Sequence, residues 1–369
     1  MFLKNQCLNS ILFIGVVFNS VFVLGQDWKG KYDERLESNL GFSYEKLLKV
    51  SQRKDAYNFI AIGYFINANT LMYKKSKDVK YLNYNKNILL KIIENIDSEK
   101  KFLIEWKWGQ LNKSLDKVEY IDNIVLEGYF YRYLGEYIEV LKREDLFTDE
   151  IEFFLDLLGE GFKRWTVRSI ERYGDLYSLL FHIRIHIASN WGVVALYLYS
   201  FTNDKLYYDY IDILNKQLKK NLELKLMGDE LCYVWQSNYK EKFTKLLQTK
   251  NIGNPVVQDV GHANHVVTYM ISSYELGFNF WNEKDLIYLS NTLYNLIWDK
   301  NFIKFSDNVD GSHSTDKEFQ NQGWKQADGW IKLIKYNSSL KAIYQEYYKY
   351  NSAEINTSSM ALQYYVNLL

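Results

Sequence analysis

A single proline, Pro255, stands in a chain of 369 residues. Proline breaks helices from within, and chains built of strands and turns usually carry several, so its scarcity favours long helices. The hydrophobic spacing agrees. Residues 53–74 place Tyr57, Ile60, Ala61, Tyr64 and Phe65 at the three-and-four interval of an amphipathic helix. Residues 80–96 read as a partner across a short polar break. Further pairs read as 117–141 with 149–170, 188–201 with 204–222, and 258–276 with 283–299. A weaker pair covers 324–336 and 338–350, and residues 358–369 close the chain. Asn203-Asp204 and Asn282-Glu283 sit where the second helix of a pair needs a side chain to cap its first amides.

The pairs alternate in polarity. Residues 190–200 contain no charged side chain, whereas 204–220 contain seven. An apolar helix lining the inside and a charged helix facing water make a ring of hairpins. The expected fold is therefore all-α, an (α/α) toroid or incomplete toroid of about five to seven helical hairpins, as one domain over residues 26–369. Between the third and fourth pairs, 231–236 reads as a short strand, followed by a lysine-rich helix over 239–250.

Residues 1–25 read as a signal peptide. Lys4 supplies a positive start, residues 11–25 an apolar run too short and interrupted to span a membrane, and Gly25 a small residue before the chain turns polar. A secreted or periplasmic protein with no integral membrane association is expected. Cleavage would leave Cys232 alone, which excludes an intrachain disulfide. Formal charge is zero with no basic stripe, which argues against nucleic acid as a partner.

Two of only five histidines lie three residues apart in Gln258-Asp259-Val-Gly-His262-Ala-Asn264-His265. Residues three or four apart share a helical face, so Asp259, His262 and His265 project together. Imidazoles exchange protons near neutral pH. A His-x-x-His pair can also ligate an ion, with Asp259 or His313 as a third ligand, but proton chemistry without metal or cofactor is the favoured reading. Asn190 beside Trp191 offers a carboxamide and an apolar ring face suited to a sugar. His313, in a polar loop over 309–324, could reach the same cleft. Trp235 and Trp324 are candidate substrate-binding residues, and Trp106, Trp108 and Trp165 are further candidates for a sugar platform.

The order Tyr233-Val-Trp235, Gln258-Asp259-Val-Gly-His262, Tyr274-Glu-Leu-Gly277, Asp285, Asn291-Thr292, Trp298, Val309-Asp310-Gly311 and Trp324 resembles helical-toroid polysaccharide lyases of the alginate and glucuronan type. The resemblance covers about 190–350. It implies a carbon–oxygen lyase that cleaves an anionic, uronate-containing polysaccharide or oligosaccharide by β-elimination, usually without a metal. It places His262 and His265 in the inner-helix site, Gln258 at a position often acidic, and His313 in the cleft loop. The loop over 306–323 contains no tyrosine, although such lyases commonly use one. In that scheme His265 is base or carboxylate neutraliser, His262 its partner and Asn190 a second neutraliser. His313 or Tyr239 is the acid, and Gln258, Asp259, Trp235, Trp191 and Trp324 hold substrate. Two other readings stay open. A glycoside hydrolase on the same toroid would need two carboxylates about 5–10 Å apart, Asp259 with Asp310 or Glu230. A glycan-binding protein without turnover would need none.

Overall fold

The computed structural model describes residues 26–51, 56–94, 109–112, 117–120, 124–250 and 256–369. The expected leader over 1–25, the Trp106–Trp108 platform and the Pro255 turn lie outside them. The helices are α1 (Trp28–Glu37), α2 (Tyr44–Ser51), α3 (Ala56–Ser76), α4 (Lys80–Glu94), α5 (Ile124–Glu144), α6 (Thr148–Tyr173) and α7 (Ser178–Phe181). They continue with α8 (Ile185–Thr202), α9 (Lys205–Asn221), α10 (Lys245–Thr249), α11 (Val260–Glu275), α12 (Glu283–Thr292), α13 (Leu340–Thr357) and α14 (Ala361–Leu368). Two-stranded antiparallel pieces join Gly109–Asn112 to Lys117–Tyr120, Glu223–Met227 to Glu230–Val234, and Trp298–Asp299 to Lys304–Phe305.

Six inner elements form a closed ring. Helix α3 packs on α5, α5 on α8, α8 on α11, and α11 on the 3-10 turns Gly323–Ala327 and Trp330–Lys335. Those turns meet α14, which returns to α3. The outer helices α4, α6, α9, α12, α13 and α1 back the inner elements, with α6, α12 and α13 each bridging two of them. The protein is an all-α (α/α) toroid. Among the described residues no helix is long and apolar enough to cross a membrane.

Local chemistry explains where the elements start and stop. Asp204 accepts from the Leu206 amide, and Asn282 with Asp285 makes a reciprocal capping box. Asn203 and Gly174 take left-handed φ values of 55° and 72° to end α8 and α6. Inner faces bury large side chains completely, among them Trp165, Trp191, Trp330, Tyr131 and Tyr137. Buried tyrosines need partners for their hydroxyls. Tyr137 donates to the Leu82 carbonyl and Tyr210 to the Leu180 and Ala188 carbonyls, which stitches inner to outer helices.

Several sequence expectations are corrected. Helix α5 begins at Ile124 rather than 117, because Lys117–Tyr120 pairs as a strand. The helix expected over 239–250 shrinks to α10, capped by Thr244. The helix expected over 283–299 ends at Thr292, passes through a π turn and enters a strand. The fifth inner helix, expected over 324–336, is replaced by two 3-10 turns. Here the amides of Gly329 and Trp330 donate to the Asn264 carboxamide oxygen instead of to helical carbonyls. A Cβ at Gly329 would lie 2.2 Å from the Asn264 carbonyl oxygen, so only glycine allows this approach.

Candidate active site

The N-terminal ends of α5, α8 and α11 meet at one rim of the toroid. There a set of extended segments, laced edge to edge, holds the start of α11. Ile185 donates to the Ser237 carbonyl, Ser237 to Val256, Gln258 to Trp235, and Val309 to Gln258. Val260 donates to the Asp307 carbonyl. These bonds fix Gln258 and Asp259 before the helix begins.

Asp259 is the N-cap of α11. Its Oδ1 accepts from the His262 amide at 2.9 Å, and its Oδ2 from His262 Nδ1 at 2.8 Å and Gln258 Nε2 at 3.0 Å. Burial alone would raise the Asp259 carboxyl, but the hydrogen bond and charge of His262 hold it below its usual value. An ionised carboxylate only accepts, so His262 carries its proton on Nδ1 and turns Nε2 outward. No described residue hydrogen-bonds that nitrogen. The His262 side chain is 32 % exposed, so solvent reaches it. His186, from α8, stacks beneath it with ring centroids 4.3 Å apart, and Phe319 meets it edge-on at 5.8 Å. Burial, then the His262 charge, push the His186 pKa well below the usual imidazole value. His186 therefore stays neutral.

Below this pair lies a polar chain, buried at Arg132, His265, Asp328, Gln363 and Asn67 and partly exposed at its Glu136–Lys74 end. Arg132 Nη1 lies 2.9 Å from His265 Nδ1, and Arg132 Nη2 donates to Asp328 Oδ2 at 2.5 Å. His265 Nε2 lies 2.5 Å from the Tyr129 hydroxyl. Gln363 Nε2 donates to Asp328 Oδ1 at 3.2 Å and to Asn67 Oδ1 at 2.8 Å. Asn67 continues to Glu136, which pairs with Lys74 at 2.8 Å. Burial first, and then the Arg132 charge, hold the His265 pKa well below the usual value. Burial likewise pushes the Tyr129 hydroxyl well above its ordinary value.

The sequence-predicted residues divide. Gln258, Asp259, His262 and His265 come together. His265 has both ring nitrogens engaged and is 1 % exposed, so it holds no lone pair for the base role expected of it. Asn190 lies one turn beyond His186 on α8, fully buried, with both carboxamide atoms unpartnered. Trp235 is buried and stacked on Trp330, centroids 6.1 Å apart, so it offers no open sugar platform. Trp324 is half-buried at the rim with the Lys325 ammonium 5.5 Å from its ring.

Other candidates fall elsewhere. Tyr239 is buried against Phe181 and Phe243 and donates to the Phe181 carbonyl, so it cannot serve as an acid at the rim. Trp191 is a core residue whose indole donates to the Ile124 carbonyl, not a sugar platform. His313 is exposed on the rim loop, 3.4 Å from Asp307, outside the histidine cluster. Glu230 is committed to Asn295 on a hairpin, and Asp310 to Ser312 within its own turn. Among the described residues no three His, Cys, Asp or Glu side chains converge as a metal-holding set. Sequence reading missed Tyr129, Arg132 and Asp328, whose partners lie 133 or more residues away.

No protein-family model and no curated protein matches the chain. Solved structures do match in fold. An inactive variant of the α-1,6-mannanase GH76A of Salegentibacter sp. HEL1_6, in complex with α-1,6-mannotetraose, superposes with a TM-score of 0.54 at 10% identity, covering 93% of this chain and 98% of that one. The likeness is one of fold. A second inactive variant of that enzyme, with α-1,6-mannotriose, gives a TM-score of 0.35 at 11% identity over 74% and 94% of the chains. The neighbour is a glycoside hydrolase, which corrects the expectation of a lyase. In the first variant a pair of adjacent aspartates is replaced by alanines. The present sequence contains no two adjacent aspartates.

Proposed function

We propose that the protein is a glycan-degrading enzyme of the hydrolase class. The observation that carries this reading is the Asp259–His262 dyad, open to solvent at the rim with His262 Nε2 unengaged. In hydrolysis, water oxygen bonds to the anomeric carbon as the glycosidic C–O bond breaks, and the departing oxygen takes a proton from the solvent that reaches the rim. His262 Nε2 is placed to take the proton from that water, and ionised Asp259 orients the ring and stabilises the imidazolium. Groups used in this way contribute about 10²–10⁴-fold. The shared toroid of the mannanase supports an oligosaccharide as substrate.

A specific observation favours a second reading, glycan binding without turnover: this sequence holds no two adjacent aspartates like the pair replaced in the inactive mannanase variant. One experiment separates the two. Purified protein is incubated with α-1,6-mannan, neutral glucans and uronate polymers, and both new reducing ends and bound polymer are measured. Reducing ends that vanish in His262→Ala support hydrolysis through the dyad. Retention of polymer without chain shortening supports binding alone. Reducing ends formed equally by wild type and His262→Ala remove the dyad from the chemistry.

A further inference from the structure

The buried chain under the rim dictates a hydrogen's direction. Arginine in proteins stays protonated and only donates. At 2.9 Å, Arg132 Nη1 therefore donates to His265 Nδ1, which must be the bare nitrogen. The Asp328 carboxylate lies 3.6 Å from the same nitrogen, beyond hydrogen-bond range, and is already engaged by Arg132 at 2.5 Å. A neutral imidazole with a bare Nδ1 carries its proton on Nε2. That proton points at the Tyr129 oxygen 2.5 Å away, so Tyr129 accepts from His265 and must send its own proton elsewhere. No described residue accepts it. The Tyr129 ring meets His265 edge-on with centroids 4.4 Å apart, and His265 lies 5.9 Å from the His186 ring beneath His262.

We propose that Tyr129, which keeps 8 % exposure under the histidine pair, donates its hydroxyl proton, in a hydrogen bond, to an oxygen of a glycan bound at the rim, and that His265, Arg132 and Asp328 are positioning residues that impose this direction. The proposal rests on the glycan-acting reading above and deepens it. The ligand class it selects is one presenting an acceptor oxygen, hydroxyl or glycosidic ether, beside His262 Nε2. Tyr129 polarises and orients that oxygen without giving up its proton. Its contribution is flat across neutral pH, because neither the phenol nor the shielded imidazole titrates there.

Two measurements test this on the full chain. In wild type labelled with ¹⁵N-histidine, His265 shows a protonated Nε2 and a bare Nδ1, unchanged from about pH 5 to 8. A proton on Nδ1, or titration of His265 in that range, overturns the proposal without touching the hydrolase reading. The second measurement uses α-1,6-mannotetraose and uronate oligosaccharides, read for binding and for reducing ends. Tyr129→Phe lowers kcat/KM, or affinity if no turnover is found, by about 10–100-fold with the pH profile unchanged in shape. Arg132→Gln has a similar effect, and the double variant is no worse than either single one, because both lose the same directed proton. A Tyr129→Phe protein equal to wild type overturns the proposal. A wild type that neither binds nor cuts any of these glycans overturns the hydrolase reading, and this recipient for the proton falls with it. A His265 signal of the expected tautomer would then still confirm the wiring.

Discussion

At the scale of single residues, the site separates one solvent-exposed imidazole from two that are locked. His262 is hydrated and backed by a carboxylate, whereas His186 and His265 are buried neutral. Replacing Asp259 by Asn keeps an N-cap side chain but removes the charge. Turnover of whichever glycan the wild type cuts is expected to fall about 10²-fold or more with little change in melting temperature, read by reducing-end assay and calorimetry. Loss of activity only in proportion to unfolded protein would contradict that role. The locked histidines also set an acid limit. Their folded pKa values lie below the unfolded value of about 6.5, so the unfolded chain takes up protons first as pH falls. The stability they allow is complete above about pH 6.5 and erodes below it, by at most about 1.4 kcal/mol per pH unit for each such group. His182, lowered to about 4 by burial and the nearby Arg184, adds to the same slope. Denaturant midpoints between about pH 7 and 4.5 check the sign, and His265→Gln is expected to flatten the curve.

At the scale of elements, Asn264 does the most with one side chain. It accepts from the amides of Gly329 and Trp330 and donates to the carbonyls of Gly261 and Lys325, tying the 3-10 segment to α11. That tie places Asp328 under Arg132. Asn264→Ala leaves buried amides unsatisfied and is expected to cost about 2–4 kcal/mol, measured by urea unfolding. Gly329→Ala is expected to destabilise comparably, since its methyl would strike the α11 backbone. Either variant unfolding at the wild-type midpoint would show that the contact is dispensable.

The same contrast explains what the sequence disclosed. Capped hairpins with alternating polarity write their signals locally, which is why Asp204 and Asn282 stood out and the toroid was legible. Gln258, Asp259, His262 and His265 fall within eight residues around the start of α11, so they were legible too. Tyr129 and Arg132 sit in a helix crowded with tyrosines, and nothing nearby distinguishes them. Asp328 lies in a segment whose geometry is decided by Asn264, far away in sequence. A tautomer fixed by an arginine on another helix leaves no mark in local spacing. Trp191 and Trp235 were read as sugar platforms because an indole beside polar residues looks alike whether it faces a groove or a core.

At the scale of the whole molecule, the axis of the ring holds ion pairs that only complete folding can assemble. Arg132 comes from α5, Asp328 from the 3-10 segment and Gln363 from α14, all at or near zero exposure. Breaking such a pair from one side strands the other charge, so Asp328→Asn is expected to cost about 3–5 kcal/mol, read by denaturant unfolding. A midpoint unchanged from wild type would mean that Arg132 finds another counter-charge.

The ring is closed where α14 meets both α1 and α3, a contact spanning more than three hundred positions of the chain. Until α14 is in place, the earlier hairpins form an open arc with an apolar flank, and closure by so distant a contact is slow and leaves that flank prone to aggregation.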